Sequence, residues 1–357
     1  MTIHFVCHFP VDLNVPADDS YRAQLAQSPI CLHARASTRV RCLLPLAVVG
    51  RHYRATLSSF TWAATNASTL SSDDILVLFK IGSGEFEENP SLPDAVRTLV
   101  GARARIVYDT CDPLHRAADT LAGKMQIELA RRADLITCPT GALLQDLTGI
   151  TRRPIRLIPD TVDLEPRPPA FAPAETLRLV WFGWLTKPRL NELDRHLRSI
   201  GASLGGRPIA CELVCQPVLP AMIDRINGEY AAAGTGITLR HSLWELPKAW
   251  DTISAADIAL IPHDASSVDA MKSHNRLSTT ILAGTFAVAN PIAQYRTLAA
   301  YGWLGADLAE GVAWALSHPA EALGRIEAGQ QAVMALYGPE VIGAAWLEAL
   351  GTLQRAA

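Results

Sequence analysis

Buried-strand signals alternate with amphipathic stretches along this chain. In the first half, the apolar runs Ile3–Cys7, Ile75–Phe79, Ile106–Tyr108, Leu135–Thr137 and Ile155–Ile158 each end in polar or Gly/Pro-containing loops. Short continuous apolar runs suit parallel strands covered on both faces. Between them, Ser37–Val49 places Val40, Leu43, Leu44, Ala47 and Val48 at helical spacing, and Leu92–Val100 and Ala117–Ala133 read as further helices. Pro159, Pro166, Pro168, Pro169 and Pro173 then interrupt the pattern with an extended linker. The alternation restarts with strands at Leu177–Phe182, Cys211–Cys215, Ile237–His241, Asp257–Pro262 and Phe286–Asn290. Helices are expected at Leu190–Leu204, Met222–Ala233, Pro247–Ser254, Asn275–Ala283, Ala306–Ser317, Pro319–Leu336 and Pro339–Gln354. This repetition on both sides of a linker predicts an α/β protein with two doubly wound parallel-sheet domains. The boundaries read as 1–165 for the first domain, 166–176 for the linker and 177–338 for the second domain. A C-terminal helix over 339–357 follows, and its return to the first domain is left open.

Composition narrows the partners. With 49% hydrophobic and 19% charged residues, the chain can bury large cores, which excludes global disorder. A net charge of -3 gives no electrostatic reason to expect nucleic acid. The cysteine count is odd, at seven, and no CxxC occurs, so reduced thiols in a cytoplasmic protein are expected, with no metal site. The start, MTIHFVCHFP, reads as a first strand and not as a secretory signal. No uninterrupted apolar run reaches the roughly 18 residues that span a bilayer. Peripheral contact at the inner face of the membrane and the oligomeric state stay open.

The richest chemistry lies between Asp257 and Pro291, laid out as strand, polar loop, helix, Gly, strand. Ser273 is expected to N-cap the helix that starts at Asn275. The free N–H groups of a helix start suit a phosphate, and Lys272 and Arg276 add charge beside it. Gly284 is expected to close the helix in the left-handed region. An ordinary capped helix with solvated basic residues would carry the same signals.

These residues resemble a known family. Asn275-Arg276-Leu277, then Ala283-Gly284 and Val288–Pro291, are similar to the donor-binding region of GT-B glycosyltransferases of the glycogen-synthase-like (group 1, family 4-like) superfamily. LRLVWFGW (Leu177–Trp184) resembles the first strand and Gly loop of the C-terminal domain in that group. Ala133–Glu165 resembles the end of the N-terminal domain, and the Arg39/Arg41 segment resembles its first helix. The resemblance implies a GT-B fold: two Rossmann-like domains facing a central cleft. It also implies a metal-independent enzyme of polysaccharide biosynthesis, moving a sugar from a nucleotide-sugar donor to a glycan or lipid-linked acceptor. The donor is a substrate, and no cofactor is expected.

Gly183, Lys187, Lys272, Ser273, Asn275 and Arg276 would hold the donor, with Trp244 stacked on its base. Asp109, Asp112 and His115, at the end of a buried strand, would supply the acceptor base. Arg39 and Arg41 would meet donor phosphate or an anionic acceptor, Lys80 would face the cleft, and Asp160 and Asp163 would form turns. The long loop from Pro10 to Ala36 would be an acceptor or membrane element. The family's two glutamates fall at Met271 and Thr279, neither acidic, with Asn275 or Asp269 as substitutes. Two rivals follow: a non-catalytic nucleotide-sugar or glycan-binding relative that assists a partner enzyme, and a nucleotide-sugar epimerase. A nicotinamide dehydrogenase is disfavoured, because no GxGxxG follows the first strand.

Overall fold

A computed structural model describes residues 1–8, 36–263 and 268–355. The loop expected to contact acceptor or membrane lies outside the described residues, apart from Ala36. The chain divides into two compact units. Unit 1 comprises Met1–Asp163, Met271–Ser273 and Tyr337–Ala357, and unit 2 comprises Leu164–Ala270 and His274–Leu336.

Unit 1 holds β1 (Thr2–Cys7), β2 (Arg54–Ser59), β3 (Ile75–Phe79), β4 (Arg105–Asp109), β5 (Leu135–Cys138) and β6 (Ile155–Leu157). They form one parallel sheet in the order β2-β1-β3-β4-β5-β6. All five residues of β3 are buried, as expected of a strand covered on both faces. Each large aliphatic side chain removed from water in this way contributes about 1.5–3 kcal/mol. Ser59, Thr120 and Thr140 cap the helices that follow them by accepting from the N–H of Trp62, Gly123 and Leu143.

The helix expected over Ser37–Val49 is irregular: α-helical at Ala36–Thr38, a π-turn at Arg39–Leu43, then α-helical over Leu44–Val49. Pro45 explains the irregularity. It has no N–H to donate back to Arg41, and its ring would crowd that carbonyl in a regular helix. The π-turn, closed by Leu44 N–H donating to Arg39 O, opens the helix just before it.

Unit 2 holds β7 (Leu177–Phe182), β8 (Ile209–Cys215), β9 (Ile237–Leu243), β10 (Ile258–Ile261), β11 (Phe286–Ala289) and β12 (Trp303–Leu304). Its parallel sheet runs β12-β11-β10-β7-β8-β9, so the chain reverses direction between β7 and β10. In open α/β sheets the crevice at the carboxyl ends beside such a reversal is where ligands bind. The core packs Leu179, Trp181, Leu213, Leu260 and Val288 under the helices.

The C-terminal helix Pro339–Arg355 belongs to unit 1, where its Trp346 is fully buried 6.0 Å from the Phe5 ring. The run Pro319–Gln354 does reach the length and mean hydropathy of a membrane span, although no uninterrupted apolar run was expected to. It consists of two helices, Pro319–Tyr337 and Pro339–Arg355, and Ala322, Ile326, Val333, Ile342, Trp346 and Leu350 are buried. Packing against protein accounts for its apolar character.

Candidate functional site

In unit 2, Gly183 follows β7 with φ +139°, a conformation that L side chains rarely adopt. A Cβ placed there would lie 3.9 Å from Cδ of Arg276. Arg276 is the second residue of the helix Asn275–Leu282, which follows β10. Its guanidinium is half-buried and has no hydrogen bond or ion pair among the described residues. Burial lowers its pKa, and Arg189 pushes the same way against Tyr295 and Asp269. A guanidinium stays charged regardless, so the environment favours an added anion.

A second group stands beside it. His263, just beyond β10, lies 3.2 Å from Asp269 Oδ2 through Nδ1 and 2.9 Å from the Tyr295 hydroxyl through Nε2. Burial lowers the His263 pKa, so the ring is neutral. Burial alone would raise the Asp269 pKa, but the hydrogen bond from His263 and the nearby Arg189 and Arg276 guanidinium groups bring it down to about 2. The ionised carboxylate can only accept, so Nδ1–H donates to Asp269 and Nε2 accepts from Tyr295. Arg189, 3.6 Å from the other Asp269 oxygen, also donates to Trp184 O at 3.0 Å. Gly183, Arg189, His263, Asp269 and Arg276 thus gather at the carboxyl ends of β7 and β10.

Unit 1 gathers a separate network at the ends of β4 and β6. The Arg41 side chain is fully enclosed. It donates to both Asp109 oxygens and to Ile158 O, and lies 3.5 Å from Asp160. Thr137 also donates to Asp109, and Arg39 donates to Asp163 at 2.7 Å. The phosphate role expected of Arg39 and Arg41 therefore gives way: both arginines are occupied by carboxylates within the fold. Asp160 and Asp163, expected in turns, are those partners.

Asp112 receives Lys80 on one oxygen and Lys272 on the other, the latter at 2.8 Å. Burial alone would raise the Asp112 pKa, but the two ammonium groups overturn that and hold the carboxyl well below the usual range. His115 Nε2 meets Asp146 at 2.7 Å, while its buried Nδ1 has no hydrogen-bond partner among the described residues. Arg116 grips the same Asp146 carboxylate.

The expected donor residues divide between the units. Gly183 and Arg276 are neighbours in unit 2, and Trp244 stacks on Phe182 with ring centroids 6.0 Å apart. Lys187 is exposed at the start of the helix Lys187–Ser203. Asn275 opens its helix beside Thr279, whose hydroxyl lies 3.5 Å from the Asn275 side-chain oxygen. Lys272 and Ser273 pack with unit 1, Lys272 on Asp112 and Ser273 donating to Asp160. Ser273 is not the N-cap: that position is His274, and no side chain caps the helix. Met271 is buried in the unit 1 core, and its carbonyl accepts from Thr140 at 3.1 Å. Gly284 closes the helix at φ +78°. Sequence reasoning missed Arg189, His263 and Tyr295. The available signals were the positions of Arg189 and His263 just beyond the ends of β7 and β10. Among the described residues, no group of three or more His, Cys, Asp or Glu side chains is placed to hold a metal ion.

No protein-family model matches the chain, and no curated protein matches it. Solved structures do. Anabaena Alr3699/HepE in complex with UDP and glucose matches with a TM-score of 0.63 at 12% identity, covering 98% of this chain and 99% of that one. A UDP-forming trehalose-phosphate synthase from Burkholderia xenovorans matches at 0.60 and 14% identity, covering 94% and 86%. TarM matches at 0.62 and 13% identity, over 81% of this chain but only 58% of its own length. The two six-stranded parallel sheets, with the second reversing beside Gly183 and His263, therefore belong to the GT-B glycosyltransferase fold.

Proposed function

We propose that the protein is a glycosyltransferase that moves a sugar from a nucleotide-sugar donor to a hydroxyl of a glycan or lipid-linked acceptor. The observation that carries this reading is Arg276, a half-buried guanidinium without an anionic partner among the described residues, beside positive-φ Gly183 at the chain reversal. The fold supports it, and the UDP in the HepE complex supports a uridine nucleotide.

In this reading Arg276 and Arg189 meet the diphosphate, Gly183 lets it approach the backbone, and Trp244 stands at the base. The acceptor oxygen forms its bond to the anomeric carbon as the bond to the phosphate oxygen breaks, and the hydroxyl proton passes to the departing phosphate oxygen or to solvent. The charge left on the diphosphate is then met by preformed cations, without need of a metal. On the acceptor side, Asp112 is the accessible member of its group: its side chain is 23% exposed, whereas Asp109 is fully buried and His115 is 5% exposed. Held ionised by two lysines, Asp112 orients an acceptor hydroxyl through a charge-assisted hydrogen bond and is a weak proton acceptor.

A thermal-shift screen of UDP, GDP, CMP and dTDP sugars, followed by nucleotide-release assays with and without candidate acceptors, tests the proposal. Arg276→Ala should weaken donor binding by roughly 10- to 100-fold, the size of a lost charge-assisted contact. Unchanged affinity overturns the donor site.

One observation favours a second reading, donor binding without transfer. Asp109 and Asp112 are both paired with cations, so neither carboxylate is a strong base for an acceptor hydroxyl. Tight donor binding with no release under any acceptor, and indifference to Asp112→Asn, would select it.

A further inference from the structure

Opposite the carboxylate-bearing rim of unit 1 lies an arginine face. Arg131 and Arg132 end the helix Leu121–Arg132 that leads into β5, and Arg152 and Arg153 lead into β6. β5 and β6 are adjacent and parallel, with Ile136 N–H donating to Pro154 O at 2.9 Å. These four arginines therefore stand at the amino ends of neighbouring strands, and Arg156 projects from edge strand β6 itself. All five are exposed, and none forms an ion pair among the described residues. By contrast, Arg39, Arg41, Arg51, Arg97 and Arg116 of the same unit are all paired with carboxylates.

The face is shaped as well as charged. Arg131 Nε donates to Ile150 O at 3.4 Å and Arg153 Nε to Arg131 O at 3.1 Å. Both bonds use only Nε, so the terminal nitrogens have no partner among the described residues. With Thr148, Gly149, Thr151 and Arg152 they line a hollow of about 400 Å³ that contains no acidic side chain. Ile150 lines the same hollow and is partly exposed although it packs, like Ile155, against the core, and Leu157, which follows Arg156 on β6, is 48% exposed.

We propose that this face docks the protein on an anionic phospholipid surface, with a headgroup phosphate in the hollow and Leu157 at the interface. A soluble polyanion would use the arginines and leave the apolar side chains idle, whereas a bilayer surface uses both. The chain as a whole is acidic at net charge -3, so the attraction is local to this patch.

The test is sedimentation of the full-length protein with vesicles of phosphatidylcholine, with and without phosphatidylglycerol. Binding is expected only to the anionic vesicles, in about 0.1 M salt, and largely lost near 0.5 M, where screening shortens the reach of charge. Each basic residue at such a surface strengthens binding roughly fivefold. Arg131→Ala, Arg152→Ala and Arg153→Ala combined should therefore weaken it about 100-fold. The charge-matched control, Arg225→Ala with Arg240→Ala and Lys248→Ala in unit 2, should leave it unchanged. If the triple variant does not fold, Arg152→Glu carries the comparison alone, because its side chain makes no hydrogen bond among the described residues. The proposal is overturned by equal binding to neutral vesicles, by a triple variant that sediments like the parent, by no sedimentation at all, or by binding of inorganic phosphate without vesicles.

Discussion

At Arg41 the fold has buried a charge and surrounded it. Its guanidinium has no exposed surface, and Asp109, Asp160 and the Ile158 carbonyl account for its contacts, with the Trp346 ring 5.7 Å away. Removing one side of such a pair leaves the other charge uncompensated, which costs about 3–5 kcal/mol. Arg41→Met should therefore lower the unfolding free energy of unit 1 by that amount, measured by denaturant titration, and Asp109→Ala should do the same.

Titration gives a second expectation at this scale. Burial lowers the pKa of His263, and that of His196 to about 4. Both are held neutral in the fold, so their contribution is complete above the unfolded value of about 6.5 and falls as pH drops toward 4. Asp112 and Asp269 are held low, Asp269 at about 2, so their contribution is present above about 4 and is lost below it. Melting temperature should thus fall in two stages on acidification, and Asp269→Asn should flatten the lower stage. A transfer rate that depends on Asp112 should show no inflection from that residue between pH 5 and 8.

Among the elements, those with buried apolar runs were legible in the sequence and those without were not. β3 and β7 begin and end where their apolar residues do. β2, RATLSS, was invisible because it is an edge strand with Ser and Thr at half its positions. β12 has only two residues. Of the site, Gly183, Gly284 and Arg276 could be read because each sits at a fixed offset from a strand or helix end. Arg189, His263 and Tyr295 could not be grouped, because 32 residues separate even His263 from Tyr295 and only the folded sheet brings them together. At Lys272 and Ser273 the helix-start pattern suggested phosphate, and the fold sets a carboxylate against each, which the chain's linear order does not reveal. Gly284 supplies a test of the helix end. A Cβ there would lie 2.5 Å from Pro168 O, at a φ that disfavours side chains. Gly284→Ala should destabilise by more than about 1 kcal/mol, seen as a lower melting temperature with the unfolding m-value retained.

For the whole molecule, the last helix has a consequence in time. Residues from Tyr337 onward complete unit 1, where Trp346 covers Phe5 and Val162 N–H donates to Tyr337 O. Everything unit 2 needs is translated before that helix appears. On a ribosome the usual amino-to-carboxyl order of domain maturation should be inverted: unit 2 becomes protease-resistant first, while the earlier-made β1 waits with an uncovered aromatic for the final segment to emerge.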